Sequence, residues 1–153
     1  MDVNYKKAIE WYEKAAEQGY AKAQYNLGCM YRDGHGVDVN YKKAIEWWEK
    51  AAEQGNANAQ FNLGGMYDSA NPACFEPNDS KAIRWYAKAA AQGHELAQVN
   101  MNNIFARRRA SSAVATEAAA SSAEQEQKKK EKKEKKAGGS KKKKKIKKKK
   151  RSG

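Results

Sequence analysis

The amino-acid sequence predicts an all-α protein, an α-solenoid of antiparallel helix hairpins followed by a basic tail that is disordered or partly helical. Three observations lead to this fold class. A motif of helical periodicity occurs three times, each copy is bracketed by the same start and stop residues, and lysine dominates the end of the chain. The copies read YKKAIEWYEKAAEQG at 5–19, YKKAIEWWEKAAEQG at 41–55 and SKAIRWYAKAAAQG at 80–93. Recurrence at this interval is typical of stacked helical units.

Each copy of the motif predicts one helix. In the first copy the apolar residues Ala8, Ile9, Tyr12, Ala15 and Ala16 recur at helical spacing. Asparagine precedes every copy, where it is suited to capping the free amides of the first turn, and glycine ends every copy, where a left-handed residue closes a helix. These residues are Asn4 with Gly19, Asn40 with Gly55, and Asn78 with Gly93.

A second helix is predicted after each copy, at Ala21–Tyr31, at Ala57–Tyr67 and from Glu95 to about Phe105. Only a few residues link each motif to the helix that follows, so the two helices must fold back antiparallel. Glycines within these helices, at positions 28 and 64, are expected to let neighbouring helices approach closely. The inward stripes are predicted to contain Ala23, Leu27, Met30 and Tyr31, then Ala59, Leu63, Met66 and Tyr67, then Ala97, Met101 and Ile104.

The two loops that lead to the next copy of the motif differ in sequence. DGHGV at 33–37 is a glycine-rich turn, whereas DSANPACFEP at 68–77 is longer, lacks both glycines and contains Pro72 and Pro77. Proline has no amide hydrogen and disfavours helix. The second loop is therefore expected to be the least regular part of the folded body.

The order of these residues resembles a known repeat family. AxxLGxMYxxGxGV followed by AIEWYxKAAxQG is similar to the Sel1-like repeat, a relative of the tetratricopeptide repeat, over about residues 4–104. The resemblance implies a right-handed solenoid of about two and a half repeats and a role as an adaptor that holds other proteins in assemblies. The chain starts in the second helix of a repeat, so we also expect a piece of a longer array. The matching residues are Ala23, Leu27, Gly28, Met30, Tyr31, Gly34, Gly36, Val37, Ala44, Ile45, Trp47, Trp48, Lys50, Ala51, Ala52 and Gly55.

Charge and composition divide the chain into three parts. Residues 1–105, the predicted repeat domain, contain 11 basic and 13 acidic residues, a net charge of −2. Residues 106–153 contain 20 basic and 5 acidic residues, a net charge of +15. Within this second part, residues 106–127 are predicted to be an Ala/Ser-rich linker and residues 128–153 a lysine-rich disordered tail, because like charges at high density repel.

The lysine-rich tail is a candidate for targeting or for binding anions. KKKEKKEKK and KKKKKIKKKKR resemble nuclear localisation signals. The same lysines are suited to nucleic acid or to an anionic membrane, and without aromatic residues or a zinc motif such binding is expected to be salt-sensitive and independent of base sequence. A solubilising extension is a further alternative. The candidate residues are Lys128, Lys129, Lys130, Lys141, Lys142, Lys143, Lys144, Lys145, Lys147, Lys148, Lys149, Lys150 and Arg151.

A protein-binding face is predicted beside the inward stripe of the helices that follow the motif. Asparagine amides there are suited to pairing with an extended peptide backbone, since each offers donors and an acceptor. The alternative is that these side chains are simply solvated. The paired aromatic residues of the motif are interpreted as packing. The candidate protein-binding residues are Tyr25, Asn26, Cys29, Phe61 and Asn62, and Gly65 occupies the position of Cys29 in the later repeat.

No enzymatic activity, cofactor or metal site is predicted. His35 and His94 belong to no HExxH or nucleophile motif, and Cys29 and Cys74 belong to no CxxC group. The N-terminus lacks the apolar core of a signal peptide, and no apolar run is long enough for a transmembrane helix. The expected location is therefore cytoplasmic or nuclear.

The leading functional hypothesis is a protein–protein interaction adaptor whose helical repeats bind a protein or peptide ligand and whose basic tail targets or tethers the complex. The alternative is a nonspecific protein, associated with nucleic acid or anionic membrane, that acts mainly through its tail. No small-molecule substrate is expected. The hypotheses differ in their salt response, because tail-driven binding should weaken steeply with salt while recognition by the repeats should largely persist.

Overall fold

Six α-helices account for most of residues 4–150, the part of the chain that the computed structural model describes, apart from the side chains at positions 146 and 150. The helices are α1 (Tyr5–Glu17), α2 (Ala21–Asp33), α3 (Tyr41–Glu53), α4 (Ala57–Tyr67), α5 (Asp79–Ala91) and α6 (Glu95–Lys150). The three copies of the motif form α1, α3 and α5. The predicted all-α fold class is confirmed.

Each motif helix starts at its predicted asparagine cap. The side-chain oxygen of Asn40 accepts a hydrogen bond from the backbone amide of Lys43 at 3.0 Å. Asn4 and Asn78 cap α1 and α5 in the same way. The glycine after each of these helices has a positive φ, which glycine adopts without the strain that a Cβ would cause. These angles are 91° at Gly19, 93° at Gly55 and 87° at Gly93.

Consecutive helices lie antiparallel, because hydrogen bonds join opposite ends of each pair. Asn40, just before α3, donates its amide to the carbonyl of Tyr31 near the end of α2 at 2.8 Å. Gln54 Nε2, just after α3, donates to Gln24 Oε1 near the start of α2 at 2.8 Å. Gln24 Nε2 also donates to the carbonyl of Ala16 near the end of α1 at 3.1 Å. α2 is therefore held antiparallel between α1 and α3.

The hydrophobic core runs through the helices of the repeats. All residues of the predicted inward stripes are buried except Met101, which is partly buried. α3 lies between α2 and α4 and buries more of its apolar face than α1, whose Ala8, Tyr12 and Ala15 are partly buried. The buried residues of α3 are Ala44, Ile45, Trp48, Ala51 and Ala52, and those of α1 are Ile9 and Ala16.

Two helical glycines bring neighbouring helices close together. A Cβ built at Gly28 would lie 2.5 Å from the indole Nε1 of Trp48, and one built at Gly64 would lie 2.4 Å from Cδ1 of Tyr86. The aromatic rings fill the space that each missing side chain leaves, and Trp48 and Tyr86 are fully buried. The predicted role of these two glycines is confirmed.

The loop between α4 and α5 is irregular, as predicted, but it is tied down by hydrogen bonds. The backbone amides of Phe75 and Glu76 both donate to the carbonyl of Met66, at 3.0 Å and 3.1 Å. Asn78 then donates its amide to the carbonyl of Tyr67 at 2.7 Å, the same bond that Asn40 makes to Tyr31 one repeat earlier. The longer loop therefore places the start of α5 against the end of α4 in the same way that the shorter loop places α3 against α2.

The basic tail is helical, so the prediction of a disordered tail is wrong. α6 begins at Glu95, as predicted, but continues past Phe105 to Lys150. Alanine, glutamate, glutamine and lysine dominate this stretch and all favour helix, and no proline follows position 77. Glutamate precedes lysine by four positions at several places, a spacing that stabilises helices. These pairs are Glu124–Lys128, Glu126–Lys130 and Glu131–Lys135.

The chain forms two compact units, one ending at Ala106 and the other beginning at Arg107. The first contains the core described above. In the second, every described side chain from Arg108 to Lys149 is exposed. The predicted boundary after residue 127 falls within α6. Across residues 4–150, no helix combines the length and the apolar character that crossing a membrane requires.

Candidate functional site

The five predicted protein-binding residues lie on α2 and α4, which occupy equivalent places in successive repeats. Tyr25, Asn26 and Cys29 are on α2, and Phe61 and Asn62 are on α4. All five side chains are half-buried, because neighbouring helices cover part of each and leave the rest open to solvent. Each therefore retains surface that a ligand is able to contact.

Tyr25, Cys29 and Asn62 form one polar cluster between α2 and α4. Asn62 Nδ2 lies 4.0 Å from Cys29 Sγ, and the Tyr25 phenol interacts with both residues. Burial raises the pKa of the Cys29 thiol and of the Tyr25 phenol. Both groups are therefore protonated at neutral pH, and a protonated thiol is a poor nucleophile. The cluster is suited to hydrogen bonding rather than to covalent chemistry.

The α2 side of this face is anchored to α3 through Trp48. The indole Nε1 of Trp48 donates to the backbone carbonyl of Tyr25 at 3.1 Å. The guanidinium of Arg32 lies over the same indole, 5.6 Å from the ring centroid. Arg32 also bonds Asp33 at 2.7 Å, and this hydrogen bond lowers the pKa of the Asp33 carboxyl. The position of Tyr25 is thus fixed by a neighbouring helix.

Phe61 is engaged by the following repeat rather than joined to the polar cluster. Its ring stacks on the imidazole of His94 with a centroid distance of 4.4 Å and tilts against Tyr86 at 5.7 Å. His94 Nδ1 in turn accepts a hydrogen bond from the amide of Ala97 at 3.3 Å, which caps the first turn of α6. Phe61 therefore links α4 to the start of α6 and offers a ligand only its remaining exposed part.

Asn100 belongs to the same face, but the sequence analysis did not include it among the candidate residues. It occupies the position of Asn26 and Asn62 in the third unit, and its Nδ2 donates to the hydroxyl of Tyr86 at 3.3 Å. Aligning ELAQVNMNN with AKAQYNLGC reveals the match, although most other repeat residues are lost in α6. In contrast to Asn62 and Asn100, the Asn26 side chain makes no hydrogen bond to any of the described residues. Asparagine thus recurs at one position along α2, α4 and α6.

The paired aromatic residues of the motif are divided between core and surface. Trp48 and Tyr86 are buried, so the packing interpretation is confirmed for them. Of the first tryptophans of each pair, Trp11 is 72% exposed, whereas Trp47 and Trp85 are partly buried against the core. A lysine three positions later lies over each of these indoles, which is a cation–π arrangement. The pairs are Trp11–Lys14 at 5.6 Å, Trp47–Lys50 at 4.0 Å and Trp85–Lys88 at 4.5 Å.

The predicted basic residues of the tail, up to position 150, lie on one continuous helix. Runs of consecutive lysines surround this helix, since successive residues point about 100° apart. A depression there is lined by Gly138 and five lysines of α6 alone, so it has no opposing wall and is not a cavity. Arg151 was predicted as part of this site and lies outside the described residues. Within residues 4–150, no group of His, Cys, Asp and Glu is placed to hold a metal ion.

Comparison with known proteins agrees with this architecture. A model of the Sel1 repeat matches residues 1–20, 21–56 and 57–94. A Sel1 repeat protein from Oxalobacter formigenes is 40% identical over 63% of this chain, with a TM-score of 0.57. A protective antigen of uropathogenic Escherichia coli strains, which displays the SLR fold, is 36% identical over 68% of this chain, with a TM-score of 0.62.

The chain spans only 38% of the Oxalobacter protein and 22% of the Escherichia coli antigen. No curated protein matches it. The Sel1 repeat model nevertheless covers more than half of its residues, and its boundaries coincide with the starts of α2 and α4. The chain therefore belongs to the Sel1 repeat family.

Proposed function

We propose that this chain is a non-enzymatic adaptor that binds an extended segment of another protein along α2, α4 and the start of α6. The observation that carries the proposal is the recurrence of asparagine at positions 26, 62 and 100, beside the aromatic residues Tyr25 and Phe61. Sel1 repeats typically bind proteins and are generally non-catalytic, which fits this role. The tail is proposed to target or tether the resulting complex.

The chemistry of the asparagine amides suits an extended peptide. An amide donates through Nδ2 and accepts through Oδ1, so it matches the donor and acceptor of a peptide group. Asn62 and Asn100 already use Nδ2 in bonds within the protein, which orients their side chains. Their Oδ1 atoms are the acceptors proposed for the ligand, and Asn26 is proposed to offer both atoms. Such binding depends little on charge and should persist as salt is raised.

The test is an affinity purification of partners with the full chain and with full-length variants. In the first variant, Asn26→Ala and Asn62→Ala together remove two of the three amides. The matched control is Glu10→Ala, which changes an exposed residue of α1. Bound proteins are identified by mass spectrometry, with and without nuclease. The affinity of each protein found is then measured with purified components.

Partners that survive nuclease, bind the control and lose at least about fivefold in affinity for the asparagine variant support the proposal. The fivefold figure corresponds to about 1 kcal/mol, the scale of a lost hydrogen bond. Unchanged binding of every nuclease-resistant partner by the asparagine variant would contradict it. Circular dichroism of each variant establishes that the fold is intact.

A second candidate role, association with nucleic acid or anionic membrane, is favoured by the density of charge on α6. Residues 128–150 contain 16 lysines, and those whose side chains are described are exposed. Bound lysines release counterions from a polyanion, so the logarithm of affinity falls with the logarithm of salt concentration. This role predicts binding that depends on the tail and not on the asparagines.

The test of this second role is the salt dependence of binding to a single-stranded oligonucleotide and to vesicles containing phosphatidylserine. Replacing Lys141–Lys145 with glutamine in the full chain should reduce the slope for the oligonucleotide by about 3.5 if all five lysines contact phosphate. The asparagine variant should bind like the unaltered chain. A slope that is unchanged by the glutamine variant would argue against the tail as the binding element.

A further inference from the structure

A stripe of three cations runs along α5, where the other two motif helices alternate in charge. Lys81, Arg84 and Lys88 are spaced by three and four positions, so they lie on one side of α5. The central residue of the same stripe is glutamate in the other two helices. The equivalent residues are Lys43, Glu46 and Lys50 in α3, and Lys7, Glu10 and Lys14 in α1. Only in α5 does the central residue add to the charge of its neighbours.

The cations of α5 border a small groove against the preceding repeat. Glu49, Tyr67 and Trp85 complete its lining. Lys81 Nζ lies 4.8 Å from the centroid of the Tyr67 ring, and Lys88 Nζ lies 4.5 Å from that of the Trp85 ring. Each ammonium group is therefore held beside an aromatic wall of the groove, with the arginine between them in sequence.

The positive charge of this groove is weakly compensated. Arg84 is exposed, and among the described residues no carboxylate lies within ion-pairing distance of its guanidinium. Lys81 has only a 4.0 Å contact with Glu76. Glu49 is the one acidic residue of the lining, and it accepts a hydrogen bond from the hydroxyl of Tyr67 at 3.4 Å. Like charges at this spacing destabilise a helix, so binding of an anion beside these three cations would stabilise α5.

The equivalent residues one repeat earlier make the same contacts around a different central charge. The Tyr31 hydroxyl donates to Glu13 at 3.3 Å, Lys43 lies over the Tyr31 ring at 5.1 Å, and Lys50 lies over the Trp47 ring at 4.0 Å. The central residue is the glutamate at position 46, in place of arginine. The chain therefore contains its own control for the effect of this charge.

We propose that the groove at Arg84 binds a carboxylate side chain of an acidic protein segment. A guanidinium pairs with a carboxylate through two parallel hydrogen bonds, and flanking ammonium groups strengthen the attraction. The aromatic walls are suited to packing against the aliphatic part of a glutamate side chain. This site shares no residue with the protein-binding face on α2, α4 and the start of α6, and it does not depend on the function proposed for that face.

A protein segment fits this groove better than a polyanion. α3, which borders the groove, carries Glu46, Glu49 and Glu53. A nucleic acid places a negative charge on every nucleotide, so a strand laid across α5 would also meet these glutamates. A single carboxylate on a flexible chain reaches the cations without that repulsion.

The test uses the full chain with isotope-labelled tryptophan and follows the four indole N–H signals by NMR. The probe is the peptide acetyl-Gly-Ser-Glu-Glu-Ser-Gly-amide, and the same peptide with glutamine in place of glutamate is its control. The tail contains no tryptophan, so peptide held by tail lysines causes no local shift there. We expect a saturable shift at Trp85 that exceeds the shift at Trp47 and is absent with the glutamine peptide.

Two substitutions exchange the central charge between the grooves. Arg84→Glu introduces the residue that α1 and α3 carry at this position, so the fold should be retained. The substitution should lower the peptide affinity measured at Trp85 at least about fivefold. Glu46→Arg should bring Trp47 into the response. Thermal unfolding of both variants checks the fold, and Arg84→Gln serves in place of Arg84→Glu if the latter unfolds.

Several results would overturn the proposal. The central charge would not define a site if the glutamate peptide shifted the Trp47 and Trp85 indole signals equally. The same conclusion would follow if the Trp85 shift persisted in Arg84→Glu, or if the Trp47 signal did not shift in Glu46→Arg. A stronger Trp85 response to inorganic phosphate or to a single-stranded oligonucleotide than to the glutamate peptide would assign the groove to a different ligand. Partner binding through Asn26 and Asn62 is tested with different variants, so one proposal can be refuted without the other.

Discussion

The ring of Tyr86 lies directly against the backbone of Gly64, so close that a methyl group at position 64 would lie 2.4 Å from Tyr86 Cδ1. The ring has little freedom to move away. Its hydroxyl lies 3.4 Å from Asp68 Oδ2 and 3.3 Å from Asn100 Nδ2, so it contacts α6 as well as the residue that follows α4. The glycine therefore controls how closely α4 and α5 approach and where the third asparagine is held.

Gly64→Ala should lower the free energy of unfolding by about 1–3 kcal/mol, the usual cost of overpacking a core. Alanine is the better helix former, so any loss must come from the collision with Tyr86. Denaturant unfolding of the full chain measures the change. Gly138→Ala is the control, because the Cβ it would add meets no atom within 4 Å beyond the neighbouring backbone of its own helix. A Gly64→Ala variant as stable as the unaltered protein would show that α5 shifts freely.

Gln60→Ala should lower the free energy of unfolding by about 1–3 kcal/mol, because it leaves a buried acceptor without its donor. Gln60 is 4% exposed, donates to the carbonyl of Ala52 at 3.0 Å and accepts from Gln92 at 2.8 Å. Gln98 occupies the equivalent position on α6 and is exposed, and its side chain bonds only Asn102 among the described residues. Gln98→Ala should therefore change stability by less than about 0.5 kcal/mol. Equal effects of the two variants in denaturant unfolding would refute this ranking.

Stability should fall as the pH rises from about 10 to about 12. Burial, followed by the nearby charge of Glu49, raises the pKa of Tyr67 from 10.0 to about 12. Below pH 10 the phenol is protonated in both states, and between these values it ionises only in the unfolded chain, which favours unfolding. One such group contributes a slope of at most about 1.4 kcal/mol per pH unit. Tyr67→Phe should make the stability curve flatter in this range, and an unchanged slope would contradict the assignment.

The helix content of the full chain should rise with salt. Lysines at 141–145 and 147–150 repel one another along α6, with no acidic residue among them. Raising sodium chloride from about 0.05 M to about 0.5 M shortens the Debye length from more than 10 Å to less than 5 Å and weakens this repulsion. Far-UV circular dichroism measures the change. A chain in which these lysines are replaced by glutamine should show a smaller rise, and an equal rise would place the effect elsewhere.

The helix hairpins were predictable because several local signals agree at the same positions. Asn40 is a cap, Gly55 adopts a positive φ, and the apolar stripe between them is buried against α2 and α4. The copies of the motif repeat these signals, so each helix supports the interpretation of the others. Local preference and tertiary packing favour the same structure here.

The helical tail was missed because two opposing effects had to be weighed without a packing signal. The charge density of residues 141–150 argues for an extended chain, while the helix preference of lysine, alanine and glutamate argues for a helix. α6 has no apolar stripe beyond Ile104 that would decide between them. In the structure, helix preference prevails through Lys150.

The candidate sites were only partly predictable, because each becomes visible only when particular copies of the repeat are compared with one another. Tyr25, Cys29 and Asn62 were named from their spacing, and the structure brings these three together. Asn100 was missed because α6 keeps few other repeat residues. Arg84 was missed because what marks it is the change from glutamate, present at Glu10 and Glu46, to arginine at the equivalent position. The sequence analysis looked for residues that the copies share.

α1 and α3 have the same sequence in twelve of thirteen positions, and the exception is Tyr12 in place of Trp48. In a concentrated refolding mixture, α1 of one molecule is chemically competent to dock on α2 of another in the place of α3. The exchange would remove the hydrogen bond from the Trp48 indole to the carbonyl of Tyr25, because α1 has tyrosine at the equivalent position. We therefore expect the yield of correctly folded chain on refolding to fall as protein concentration rises, and to fall further in a Trp48→Tyr variant.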